Sequence, residues 1–232
     1  MKEKTGIIAL IVILILCVIP GVSAGDIASF VNLGFSENSI YYMFAYYGVN
    51  EQSSPYASTF IVNVPANSYA PDGVEEAVYE EPVQPGQVGL GALFNLYKKI
   101  DGKVDEYRID HLRTGRILYI LLNGEEPKSH LEFRDFNTGN KYNVTLVQSQ
   151  QGTGDNVRAS FFIDLTVTFE SGESKHFTVG RPDYKRSGVK QYRIKEVITS
   201  PDETSLVFVI EKEELDTNGV DIRYMVETVR IE

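Results

Sequence analysis

The sequence predicts an all-β fold of antiparallel meanders with one amphipathic helix, on three observations. The stretch "FSENSIYYMF" (Phe35 to Phe44) returns as "TSPDETSLVF" (Thr199 to Phe208) at a constant offset of 200 minus 36, or 164, which sets Asn38 on Asp202, Tyr42 on Leu206 and Phe44 on Phe208. Apolar and aromatic runs of strand length are separated by Gly, Asn, Ser or Pro, as strands and turns in succession are. Only one segment beyond the N-terminus has helical spacing.

The first repeat unit runs "ASFVNLGFS", "IYYMFAYYG" and "YASTFIVNV"; the second runs "YRIKEVITS", "SLVFVIEKEE" and "IRYMVETVRIE". Each reads as a three-stranded meander. Side chains alternate across a strand, so Tyr42, Phe44 and Tyr46 face one way and Tyr41, Met43 and Tyr47 the other; bulk on both faces marks an interior strand. Residues 70–86, "APDGVEEAVYEEPVQPG", combine Pro, Gly and paired glutamates and are expected to form an acidic loop. Leu90, Leu93, Phe94, Tyr97 and Ile100 then recur at helical spacing and predict a helix over 88–101 that covers one sheet face. From Arg116 strands resume, "RILYILLNG", "HLEFRDFNTG", "KYNVTLVQS", "ASFFIDLTVTFES" and "ESKHFTVG", with "DFNTGN" and "ESGES" as hairpin turns.

The pattern S-P-D-x-x-x-L-x-F resembles the turn between strands of TolB-type β-propeller blades, and "EFRDFNTGNKYNVTL" resembles a blade strand pair. Two packings follow. Blade-like meanders can stack face to face as a sandwich or barrel, or they can close a small propeller, which ordinarily needs at least about four four-stranded blades. Two regular units favour the first.

Lys2 and Lys4 precede "IIALIVILILCVI", then come Pro20, Gly21 and the small residues of "VSA". This order is that of a secretory signal cleaved after Ala24, leaving a single domain over 25–232 that is secreted or periplasmic. The alternative, an N-terminal membrane anchor, asks for about 20 unbroken apolar residues, more than this run has. Cys17 is the only cysteine, so cleavage removes disulfides, zinc thiolates and a cysteine nucleophile together. Leu16 before it is too large for a lipoprotein signal. The chain carries a net charge of −10, which repels phosphate backbones, so no nucleic-acid partner is expected.

Three segments in order, "GDIASFVNLGFSENSIYYMFAYYGV", "FTVGRPDYKRSGVKQYRIKEVITSPDETSLVFVIEKE" and "GVDIRYMVETVRI", resemble a family of predicted secreted bacterial proteins known as domain of unknown function 2259. The resemblance implies secretion and a single domain. It brings no reaction, ligand or catalytic residue.

Catalytic motifs are scarce. "GFSEN" around Ser36 falls short of a G-x-S-x-G elbow and leads into a strand, not a helix, so Ser36 reads as a turn residue. His111, His130 and His176 match no local metal spacing, and "GQVGLGAL" lacks the βαβ setting of a dinucleotide loop. Glu75, Glu76, Glu80 and Glu81 fall in the acidic segment; a glycosidase pair would have to come from distant acids such as Asp164 and Glu170. "NVT" at Asn143 to Thr145 matters only in a eukaryotic secretory pathway.

Two stretches stand above this background. "GRPDYKRSGVKQYRIK" gathers Arg181, Lys185, Arg186, Lys190, Arg193 and Lys195 against the single acid Asp183, an island fit for an anionic group, an acidic partner face or a phospholipid surface. "EKEELDTNGVD" places Glu213, Glu214, Asp216, Asn218 and Asp221 around Gly219, oxygen ligands of the type calcium takes, without the D-x-D-x-D-G order of a calcium loop. No cofactor is expected. The chain therefore reads as a non-catalytic binding or interaction module of the bacterial envelope, with an envelope protein as partner and membrane contact only through an uncleaved signal or the basic island. The alternative is an envelope hydrolase acting on carbohydrate.

Overall fold

A computed structural model describes residues 25–84, 86–216 and 219–232; the expected signal and its cleavage point lie outside the described residues up to Ala24. The strands are β1 (Ser29–Ser36), β2 (Tyr41–Val49), β3 (Pro55–Asn63), β4 (Ser68–Val78), β5 (Ile109–Asp110), β6 (Arg116–Ile120), β7 (His130–Arg134), β8 (Lys141–Gln151), β9 (Arg158–Thr168), β10 (Ser174–Ser187), β11 (Val189–Thr199), β12 (Ser205–Asp216) and β13 (Gly219–Arg230); the helix α1 is Leu90–Glu106. They form three antiparallel sheets, ordered β4-β3-β2-β1-β5, β13-β12-β11-β6 and β10-β9-β8-β7.

The second of these sheets lies between the other two. Leu206, Phe208 and Ile210 on β12 join a core with Val144, Phe161 and Leu165 of the third sheet. The alternate residues Val207 and Val209 join a core with Tyr42, Phe44 and Phe60 of the first. Period-two alternation on a strand buried on both faces is the reason "SLVFVI" is apolar at every position after the serine. The opposite face of the first sheet takes α1, through Met43 and Ile61 against Ile100 and Val104, and Ala45 and Ala57 against Leu93 and Leu96. The layers are thus helix, first sheet, central sheet, third sheet. The outer face of the third sheet bears Asn143, Asp164 and His176 and is open to solvent, so the stack ends there. The sandwich expectation fits; a closed propeller ring does not, because its end sheets would have to cover each other.

The 164-residue repeat holds at the level of single atoms. In the β1–β2 turn Ser36 Oγ donates to Asn38 Oδ1 (2.8 Å), accepts from the Tyr41 amide (2.9 Å), and Ser39 has φ 58°. In the β11–β12 turn Ser200 Oγ donates to Asp202 Oδ1, accepts from the Ser205 amide (3.0 Å), and Glu203, 164 residues after Ser39, has φ 62°. Both serines are buried, so each hydroxyl finds its partners within its own turn. Ser36→Ala and Ser200→Ala are each expected to cost about 1–2 kcal/mol, read as a shift of the urea midpoint at unchanged slope.

Two expectations need correction. Residues 70–78 of the expected loop belong to β4, paired with β3; between the partners Phe60↔Val74 and Val62↔Tyr69 the residues Ala70–Gly73 bulge out opposite Ile61. The Pro and acids that argued for a loop are tolerated because β4 is a sheet edge, where Pro71 deprives no ladder and glutamates discourage further pairing. The helix runs on to Glu106, and its buried residues are Ala92, Leu93, Leu96, Ile100 and Val104, with Phe94 61% exposed. Its axis is turned so that small Ala92 meets the sheet closely, and Lys103 in the last turn pairs with Glu75 at 2.7 Å.

Candidate functional site

The sequence "GRPDYKRSG" interrupts β10. Its ladder to β9 runs as far as Arg181↔Phe161 and resumes at Arg186↔Ala159, so four residues, Pro182 to Lys185, stand opposite Ser160 alone. Pro182 has no amide to give a ladder, and a bulge is the form the strand takes there. The bulge leaves Tyr184 exposed and carries Arg186 inward over the rings of Tyr184 (4.9 Å), Phe161 (5.5 Å) and Tyr192 (5.9 Å).

Arg186 Nη2 lies 3.8 Å from Glu227 Oε1 on β13, while its Nη1 is enclosed, with no hydrogen-bond partner among the described residues. The other Glu227 oxygen accepts from Asn67 Nδ2 (2.6 Å). Asn67 sits at φ 48° in the β3–β4 turn, and its Oδ1 accepts from the Thr228 amide (2.7 Å). Thr228 Oγ1 donates in turn to the Val64 carbonyl (2.7 Å), which ties the first sheet to the edge of the central one.

Between these groups lies a cavity of about 240 Å³ whose wall comes from all three sheets: Asn67, Ser68 and Tyr69 from the first, Met225 to Glu227 from the central, and Arg181, Tyr184 and Arg186 from the third. Burial pushes the Glu227 carboxyl above its ordinary range; the Asn67 hydrogen bond and the charges of Arg186 and Arg181 oppose that rise without cancelling it. Two guanidinium groups against one carboxylate give the cavity a formal charge of +1, and with Glu227 protonated +2. It can receive an anionic group between Arg181 and Arg186 and present Glu227 to a donor beside it.

The basic island is therefore divided. Arg181 and Arg186 line the cavity, and Lys185 turns aside to Gln151 Oε1 (2.8 Å). Lys190 pairs with Glu213 (2.6 Å), Arg193 with Glu211 (3.0 Å) and Glu213 (2.7 Å), and Lys195 bonds the Leu121 carbonyl (2.9 Å). The same pairs occupy the acids considered for calcium. Glu213 is enclosed by Lys190, Gln191 and Arg193, Glu214 is held by Lys212, and Asp221 by Arg223. Asp216 ends β12 opposite Gly219, and Asn218 lies outside the described residues. Among the described residues no group of three or more His, Cys, Asp or Glu is arranged to hold a metal ion.

The remaining candidates are dispersed. Ser36 is the turn residue described above. His111 is fixed between Tyr97 Oη and the Leu33 carbonyl, His130 lies beside Thr145 and Glu132, and His176 lies 3.3 Å from Asp164. Asp164 is on the open face of the third sheet, and Glu170 is in the β9–β10 turn, where its amide bonds Asn140; neither lines the cavity. "GQVGLGAL" leads into α1, where Gly89 lies so close to the Gly48 carbonyl that a Cβ would fall 2.1 Å from its oxygen. Packing against that carbonyl accounts for this glycine. Sequence reasoning missed Glu227, Asn67 and Tyr69. One signal was available: Glu227 is a lone acid in the apolar run "YMVETV", and it pairs with Phe208 in the buried first half of β12.

The sequence profile of a family described as "Predicted secreted protein (DUF2259)" matches residues 43–230. No curated protein and no solved structure matches the chain. Among the described residues no helix is long and apolar enough to cross a membrane.

Proposed function

From the premise that the chain belongs to the DUF2259 family of predicted secreted proteins, we propose that it acts in the bacterial envelope, once the signal is removed after Ala24, as a non-catalytic binding module. Its binding site is the cavity bounded by Arg181, Arg186 and Glu227, and the ligand group it takes is an anion. The observation that carries this reading is the convergence of two guanidinium groups, Arg181 and Arg186, on a cavity lined by a single acid, Glu227.

Hydrolysis has less support. The cavity offers one carboxylate, Glu227, and a glycosidase needs two that flank the bond. No observation favours the Asp164 and Glu170 pair. The basic island as a membrane contact is also weakened, since Lys190 and Arg193 are matched by Glu211 and Glu213.

Acetate titrated into the ¹⁵N-labelled secreted protein tests the reading. Signals of Arg186, Asn67 and Val226 are expected to move together, with a Kd near the millimolar range, about −4 kcal/mol. Glu227→Gln removes the one negative charge and keeps an acceptor for Asn67. It is expected to tighten acetate about fivefold to tenfold at pH 7, roughly 1 kcal/mol for one charge at partial screening. In the native protein binding strengthens as pH falls through the raised pKa of Glu227, because protonation deletes the same charge; the variant loses that dependence. Unmoved cavity signals, or an acetate affinity indifferent to Glu227→Gln, would sink the proposal.

A further inference from the structure

We infer that the anion is the terminal carboxylate of a polypeptide, and that the cavity captures the last residue of a chain that meets the edge of β13 at Val226. The inference rests on the anion-binding reading above and gives it a ligand class.

The backbone of β13 supplies the first argument. Its ladder to β12 runs without a register shift from Ser205↔Arg230 to Asp216↔Gly219. The Ile222 amide bonds the Asp26 carbonyl, the Ile222 carbonyl accepts from Ala28, and the Thr228 amide bonds Asn67. Even-numbered residues therefore turn their N–H and C=O groups away from β12, and Val226, which lines the cavity, shares that parity. An outward backbone donor and acceptor at a sheet edge is a template for one more extended segment.

The second argument is the length of that edge. At one end it is covered by Asp26 to Ala28, which form a parallel bridge at Ile27↔Ile222, and at the other it is closed by Asn67. Ile222 and Thr228 are six positions apart, about 20 Å of strand, and both ends are blocked. Between them Tyr224 to Thr228 are buried and β13 meets the cavity around Val226, so a chain that ran through would collide with the anchors and the site fits a chain end. A cavity of about 240 Å³, below the roughly 300–1,000 Å³ of sites for drug-sized ligands, holds about one residue.

Charge decides which end. An α-carboxylate meets Arg181 and Arg186 and leaves Glu227 free to accept a hydrogen bond, whereas an α-ammonium would face a cavity already positive. Around the carboxylate, Tyr69, Tyr184 and Met225 offer an apolar and aromatic lining for the terminal side chain.

The test uses the ¹⁵N-labelled secreted protein with four acetylated tetrapeptides ending in Ala, Val, Leu or Phe, each as free acid and as C-terminal amide, with glucuronate alongside. At least one acid is expected to shift the Val226 amide and to bind about tenfold or more tighter than its amide, as loss of charge-assisted hydrogen bonds requires. Arg186→Gln should erase the difference between acid and amide. Because Arg186 also packs on rings, Arg181→Gln serves as a second variant: its side chain is exposed and makes no described hydrogen bond, and it should reduce the difference without altering the fold. Equal affinity for acids and amides would overturn the inference, as would glucuronate or acetate binding while every peptide fails; both results leave the anion site standing. No binding by peptide, glucuronate or acetate would overturn the site together with the inference.

Discussion

Asp135→Ala is expected to lower the free energy of unfolding by about 3–5 kcal/mol, the cost of removing one partner from a buried, hydrogen-bonded ion pair. Asp135 opens the β7–β8 turn "DFNTGN", and its side chain is fully enclosed. It accepts from Arg116 Nη1 (2.5 Å) and Nη2 (2.9 Å), from the Asn137 amide (2.9 Å) and from Thr138 Oγ1 (2.8 Å). Arg116 stands on β6, at the edge of the central sheet, and also reaches Glu203 (2.7 Å) in the β11–β12 turn. One carboxylate thus orders a hairpin of the third sheet and fastens it to the central one. Its removal leaves a guanidinium and two turn donors short of an acceptor. Glu203→Ala is the contrasting variant: its side chain is 42% exposed, and exposed pairs contribute about 0–1 kcal/mol.

The same residue sets a pH dependence with a definite sign. Burial by itself would raise the Asp135 pKa, but the Arg116 hydrogen bonds, the Asn137 amide and the Thr138 hydroxyl outweigh it and hold the group at about 2, against an ordinary 3.8. A carboxyl whose folded pKa is depressed stabilises the fold fully above the unfolded pKa. That contribution disappears as pH falls from 3.8 toward 2, and amounts to about 2 kcal/mol after allowance for the half-open side of Arg116. Glu227, Asp26 and Glu196 act oppositely: burial raises each, so their contribution is present at low pH and is lost as pH rises through their folded values. Urea midpoints at pH 6 and pH 3 should therefore fall less in Asp135→Ala than in the native protein. An acid limb as steep in the variant would show that other carboxylates carry it.

What could be read before the fold was known depended on local chemistry. The twin serine turns were legible because the determinants of such a turn lie within six residues: a hydroxyl, an Asn or Asp two positions on, and a residue that accepts positive φ. The two-faced β2 was legible for the same reason, since alternation needs no partner to be recognised. Glutamate and proline in "APDGVEEAV" report polarity, and polarity marks both loops and edge strands; only the pairing with β3 separates them. The basic island failed in another way. Composition placed six cations in one segment, but Lys190 and Arg193 are matched by acids on β12 some twenty residues away, while Arg186 meets Glu227 on β13. Which charge stays available was settled by register between strands, a property that no window of sequence contains. Asn67 joins the site across 160 residues from Glu227, beyond any local pattern.

Phe208→Ala and Phe44→Ala are each expected to cost about 3–5 kcal/mol, the transfer free energy of a buried ring together with the cavity left behind. Both rings are wholly enclosed and occupy equivalent places in the repeat, yet they serve different interfaces. Phe44 stacks on Phe60 (4.7 Å) in the core shared by the first and central sheets. Phe208 lies in the core shared by the central and third sheets. Because the central sheet lies between the other two, the two rings belong to separate cores on its opposite faces. The milder Phe44→Leu and Phe208→Leu should then add within about 0.5 kcal/mol, whereas Phe44→Leu and Phe60→Leu, in direct contact, should depart from additivity by about 0.5 kcal/mol or more. Urea unfolding of the singles and doubles measures both cycles. Strong coupling between Phe44 and Phe208 would mean that the two cores are one, and that the central sheet transmits repacking from one face to the other; independence would make the repeat a device for burying each face of the central sheet against its own partner.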